Sequence, residues 1–108
     1  MSIVVELKIS EEISANQSVA DTYVVPNGKL FSIEKSLASG VDGTSSIAVV
    51  WDYGGVGEEV IWYMNADGEI PFRYSNTGDG TKKIAIEAQN GPDSTRTLSG
   101  YLYLRVQE

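Results

Sequence analysis

Apolar and polar residues alternate with a period of two along nearly the whole chain, which is the signature of strands with one buried face. In the first segment Ile3, Val5, Leu7 and Ile9 alternate with Val4, Glu6 and Lys8. Further strands are predicted over 19–25, 29–38, 46–53, 59–65, 69–75, 81–89 and 97–106. In 29–38 the pattern assigns Phe31, Ile33 and Leu37 to one face and Ser32, Glu34 and Ser36 to the other. In the last strand Leu98, Gly100, Leu102, Leu104 and Val106 share one face, and Tyr101, Tyr103 and Arg105 share the opposite one. The breaks carry turn chemistry: Pro26-Asn27-Gly28, Gly40 to Thr44, Gly54-Gly55-Val56-Gly57, Asn65 to Gly68, Asn76 to Gly80 and Asn90 to Asp93. One short stretch, Glu11 to Gln17, has room for a helical turn. About eight strands at this spacing predict an all-β fold, an antiparallel β-sandwich of jelly-roll type.

The chain has 108 residues, which fits one domain, residues 1–108, with a single core. Neither an internal repeat nor a linker interrupts it. Fifteen acidic residues against eight basic ones leave a net charge of −7. Lys82-Lys83 is the one adjacent basic pair, so a basic stripe for nucleic acid is not expected. The sequence contains neither cysteine nor histidine, which removes thiolate chemistry, disulfides, and the commonest general base and metal ligand. The opening segment lacks a basic n-region and a long apolar h-region. Synthesis in the cytoplasm without a signal peptide is therefore expected, and no apolar run is long enough for a membrane helix. Asn16-Gln17-Ser18 matches a glycosylation acceptor, which has no meaning without secretion.

Three sets of residues could carry chemistry. Asp42-Gly43, Asp67-Gly68 and Asp79-Gly80 could supply oxygens to calcium, but Asp-Gly is also the ordinary chemistry of tight turns. No loop has alternating carboxylates at EF-hand spacing, so turns are the expectation and no cofactor or metal is predicted. Asp52, Glu58, Glu59 and Glu69 cluster around one hairpin. A glycosidase needs two carboxyls about 5–10 Å apart, but a sandwich this small offers little cleft to tune them, so no enzyme activity is expected. The aromatic residues Trp51, Tyr53, Trp62, Tyr63, Phe72, Tyr74, Tyr101 and Tyr103 form the third set. Trp51 and Phe72 are expected in the core, whereas Tyr101, Tyr103 and Arg105 should point away from it. A Tyr-Tyr-Arg stripe has the composition of an interface anchor.

The strands Ile47 to Trp51 and Val60 to Met64 are apolar on both faces, so their outer face needs a second cover. A loop, the N-terminal segment or a partner could supply it, and a partner is the favoured reading. Val50, Trp62, Tyr63, Tyr101, Tyr103 and Arg105 are accordingly the candidate interface.

The segment Tyr23-Val24-Val25-Pro26-Asn27-Gly28-Lys29, followed by Leu30-Phe31-Ser32-Ile33, resembles a turn in small all-β virion proteins of tailed bacteriophages. The ending Gly100-Tyr101-Leu102-Tyr103-Leu104 fits the same group. The resemblance implies a structural protein of the virion: a decoration, head–tail or tail-surface component that oligomerises and docks on capsid or tail proteins. The alternative is a lectin-like module in which the exposed aromatics bind a glycan for host recognition.

Overall fold

The structure is a computed structural model that describes residues 1–70 and 73–108. It contains nine strands: β1 (Ser2–Ile13), β2 (Ser18–Val24), β3 (Leu30–Ser39), β4 (Ser46–Trp51), β5 (Glu59–Met64), β6 (Gly68–Glu69), β7 (Ser75–Thr77), β8 (Lys83–Gln89) and β9 (Arg96–Gln107). No helix occurs among the described residues. One sheet has the order β1-β9-β3-β6, with β7 also paired to β3, and the other has the order β2-β8-β4-β5. Every pairing is antiparallel. With β6 and β7 sharing the position beside β3, and apart from the β4–β5 hairpin, neighbouring strands come from distant parts of the chain, which is the jelly-roll arrangement.

Two segments differ from the periodicity-based expectation. Glu11 to Ile13 continue β1 rather than turning helically, and the chain reverses at Asn16, which takes a left-handed φ of 63°. Around the single strand expected over 69–75, the described residues form two short strands, at 68–69 and 75–77. The expectation that Phe72 is core lies outside the described residues.

The core is the layer between the two sheets. Leu7 and Ile9 from β1, Phe31 and Ile33 from β3, and Leu98, Leu102, Leu104 and Val106 from β9 meet Ile47, Val49 and Trp51 from β4 and Ile84, Ile86 and Ala88 from β8. β9 obeys strict alternation over twelve residues, because it is hydrogen-bonded on both sides without a bulge beside β1.

β3 does not obey it. Its register against β9 shifts between Ile33 and Lys35, so Glu34 is the extra residue of a β-bulge. A bulge reverses the inside–outside sense of everything beyond it. Ser36 and Ala38 therefore face the core, and Leu37, expected inside, stands on the outer face opposite Tyr101. Ser36 is fully buried, and its hydroxyl has no hydrogen-bond partner among the described residues.

The Pro26–Lys29 turn is closed by a bond from the Lys29 amide to the Pro26 carbonyl (3.1 Å), with Gly28 at φ 75°. It is docked on the strand end after β7. The Gly28 amide donates to the Gly78 carbonyl and the Gly78 amide to the Lys29 carbonyl, both at 2.9 Å. A Cβ at Gly78 would lie 2.5 Å from Val25, so this approach admits glycine alone. At the opposite end of the sandwich Asn90 is buried (4% exposed), and its side-chain amide donates to the carbonyls of Ile13 and Ser94. One buried amide thus ties the end of β1 to the β8–β9 connection.

Candidate functional site

The outer face of the five-stranded sheet holds the residues of the expected Tyr-Tyr-Arg stripe. β9 presents Tyr101, Tyr103 and Arg105 outward because Leu102, Leu104 and Val106 are committed to the core. The two tyrosine rings lie parallel (5°) with centroids 6.4 Å apart. β1 places Lys8 opposite Tyr101 and Glu6 opposite Tyr103, and β3 places Leu37 and Lys35 on the other flank. The Lys8 ammonium sits 5.5 Å from the Tyr101 ring centre, a cation–π contact.

Arg105 has a different role from the tyrosines. Its Nε donates to Glu34 at 2.7 Å, and Arg73 approaches the same carboxylate at 3.6 Å. The bulge residue is thereby held by two guanidinium groups at the rim of the face. Lys8 belongs to this surface as its alternation predicts, whereas Leu37 and Lys35 belong to it against the alternation. The available signal was the polar run Glu34-Lys35-Ser36, which interrupts the alternation where the bulge occurs.

The other three candidate residues lie on or beside the β4–β5 hairpin. Val50 is 2% exposed, and Ala48 and Ala85 on the same outer face are also buried. Part of the cover comes from the chain itself. The Tyr53 amide bonds to the Lys83 carbonyl, and the Tyr53 hydroxyl donates to Glu87 at 2.7 Å. Lys83, Ala85 and Glu87 are successive outward positions of β8, so the ring crosses over Ala85. Trp62 is half-buried and packs on the core, opposite Val49. Tyr63 and Val60 remain exposed, at 58% and 57%. Of the expected hairpin surface, Tyr63 with Val60 is therefore what is left open.

The bond to Glu87, reinforced by partial burial and by the negative charges of Glu87 and Glu58, pushes the Tyr53 hydroxyl up to about 12. An unfolded tyrosine titrates near ~10. Folding thus favours the neutral phenol, and that contribution is complete below about pH 10 and lost as pH rises towards about 12. Urea unfolding across this interval should show stability falling with pH in the parent and falling less in Tyr53→Phe and Glu87→Gln. Equal slopes in all three would contradict the assignment.

The Asp-Gly dipeptides act as turns and braces. The Asp79 carboxylate accepts from the amides of Lys82 and Thr81 and from the Thr81 hydroxyl, which pull it down to about 2. Asp42 accepts from the amide and hydroxyl of Thr44 and pairs with Arg96, and its carboxyl is likewise lowered. Asp67 receives the amide of Val41 at 2.9 Å, joining two loops. No group of three or more metal-ligating side chains gathers among the described residues.

Of the four carboxylates, Asp52, Glu58 and Glu59 lie at the β4–β5 hairpin, and Glu69 lies on β6. Asp52 accepts from the Gly57 amide within its own loop. Glu59 begins β5 opposite Trp51, and Glu69 lies in the other sheet, opposite Leu37. A concavity of about 600 Å3 follows the seam between β1 and β2, lined by Lys8 to Glu11 and Val19 to Asp21. The aspartate in it is already engaged, accepting the Lys8 amide at 3.0 Å.

These features define the class of the molecule: a jelly-roll β-sandwich with an aromatic outer face. Among solved structures the chain is similar to the Yersinia pseudotuberculosis-derived mitogen, with a TM-score of 0.51 and 14% identity, covering 99% of this chain and 86% of that one. It is also similar to PliG of Aeromonas hydrophila, a periplasmic lysozyme inhibitor of g-type lysozyme, with a TM-score of 0.49 and 15% identity, covering 98% and 88%. At such identities the likeness bears on the fold alone. No protein-family model matches the chain, and no curated protein does.

Proposed function

We propose that this chain is a non-enzymatic docking domain, a structural component of a bacteriophage particle that self-associates and seats on capsid or tail proteins. The observation that supports it is the outer face of the five-stranded sheet. There Tyr101, Tyr103 and Leu37 form an aromatic and apolar centre, surrounded by Lys8, Glu6, Lys35 and the Arg105–Glu34 pair. Such a centre within a charged rim is how protein interfaces are built. The carboxylates, by contrast, are spread over loops and two sheets. Placement in a phage particle rests on the resemblance of Tyr23 to Ile33.

The same tyrosines could stack on a sugar, but Lys8 already lies over the ring of Tyr101. This favours a protein partner over a glycan. In density gradients of particles produced from the genome that carries the gene, the chain should travel with the particles. Recovery with free protein alone would end the reading, and a hit on a glycan array without particle association would replace it with the lectin-like alternative.

A further inference from the structure

We infer that two copies of this chain join edge to edge through the first half of β1, along a two-fold axis at Val4. The inference deepens the docking reading by naming its self-contact, and it rests on that reading for its purpose.

β1 is an edge strand, paired to β9 on one side. In an antiparallel ladder the amide and carbonyl of one residue point to the same side. The Met1 carbonyl accepts from Glu108, so it points towards the β9 side, whereas the Lys8 amide is taken by Asp21 of β2 and points away. Even-numbered residues of β1 therefore present their amides and carbonyls to the open edge.

Asp21 guards that edge at Lys8, as side chains commonly do on exposed strands. Nothing comparable guards Ser2 to Glu6. That stretch has no proline, no bulge against β9 and no side chain bonded to its outward amides among the described residues. It also carries uncovered apolar residues on both faces, Ile3 at 43% and Val4 at 60% exposure.

The guard at Lys8 and the start of β1 at Ser2 bound the register. An added strand can run along Ser2 to Glu6 and no further, and the same limit holds for a second copy. The antiparallel overlap that uses the whole free segment of both copies is centred on Val4. Val4 then faces the partner's Val4, Ile3 faces the partner's Val5, and the Ser2 hydroxyl faces the carboxylate of the partner's Glu6. No like charges stand opposite each other, and the exposed Ile3 and Val4 side chains gain cross-strand neighbours. A two-fold at Glu6 would oppose two carboxylates and collide with Asp21. Centred on Val4, the two five-stranded sheets become one, and Tyr101 and Tyr103 of both copies share one continuous face.

Cysteine cross-linking tests the register, since the chain has no cysteine of its own. Directly opposed residues in a hydrogen-bonded antiparallel pair have Cα atoms ~5.5 Å apart, within disulfide reach. Val4→Cys should give a covalent dimer under mild oxidation, while Glu6→Cys, facing the partner's Ser2, should stay largely uncross-linked. Sedimentation should show a dimer for the parent and a monomer for Val4→Lys, with unchanged circular dichroism and melting. Val4→Pro should act alike, because it removes an outward amide and no bond to β9. A parent that stays monomeric into the millimolar range, or equal cross-linking of both cysteine variants, would overturn the inference. These readouts use the isolated protein, so failure of particle association neither mimics nor hides failure of the dimer.

Discussion

Replacing Tyr101 and Tyr103 together with alanine is expected to abolish association with the particle while leaving the fold intact. Both side chains stand on the outer face of β9, and the residues between and beyond them, Leu102 and Leu104, are fully buried. The substitutions therefore remove surface and leave the core row untouched. Aromatic anchors at the centre of an interface typically cost about 2 kcal/mol or more each when truncated, roughly a thirtyfold loss of affinity apiece. The two rings are neighbours, so the combined loss need not be their sum. A drop of about a hundredfold or more is the expectation. Loss of cross-strand contacts with Lys8 and Lys35 should lower stability by about 1 kcal/mol or less. Arg105→Ala should have a smaller effect on association, because that guanidinium is already held by Glu34. The measurement is the fraction of chain sedimenting with particles, beside a thermal melt of each variant. Undiminished association of the double variant would move the docking surface elsewhere, with Tyr63 and Val60 on the opposite sheet the next place to look.

The stripe was legible because β9 is regular. Twelve residues alternate without a bulge against β1, so the inside–outside assignment of Tyr101, Tyr103 and Arg105 followed from period alone. The neighbouring strand shows why the rest was not. The extra residue at Glu34 reverses β3, moving Leu37 out beside Tyr101 and Ser36 into the core. A hydrophobicity pattern records residue types but not the pairing that makes a bulge. The hairpin had the same difficulty in another form. Two-faced apolarity in β4 correctly signalled a need for cover, yet part of that cover is Tyr53, held by Glu87 thirty-four residues away. Such long-range contacts leave no local mark in the sequence. Ser2 to Glu6 reads as an ordinary strand for a similar reason: its exposed edge depends on where β9 and Asp21 lie.

Phe31→Ala is expected to be the most damaging single change to stability. Phe31 comes from the sheet that bears the tyrosine face, and its ring meets Trp51 of the other sheet at 4.8 Å and Tyr74 at 6.2 Å. It is fully buried, so its loss removes one of the contacts that join the layers. Truncation of a buried phenylalanine costs about 3–5 kcal/mol, a large share of the ~5–15 kcal/mol that holds a typical domain together. The upper part of that range applies where the surroundings cannot collapse, and here they are fixed. The chain enters β3 through the Pro26–Lys29 turn, which is bonded to Gly78, and Gly78 has no room to shift towards Val25. On the other side Phe31 is opposite Val106, whose strand is paired on both flanks. The cavity should therefore persist beneath the Trp51 indole. Urea unfolding followed by tryptophan fluorescence should show a much lower midpoint with an unchanged slope, and Phe31→Leu should recover most of the loss. A cost below about 1 kcal/mol would mean that the layers close without this ring, and the turn would not be the rigid entry to β3 that its hydrogen bonds describe.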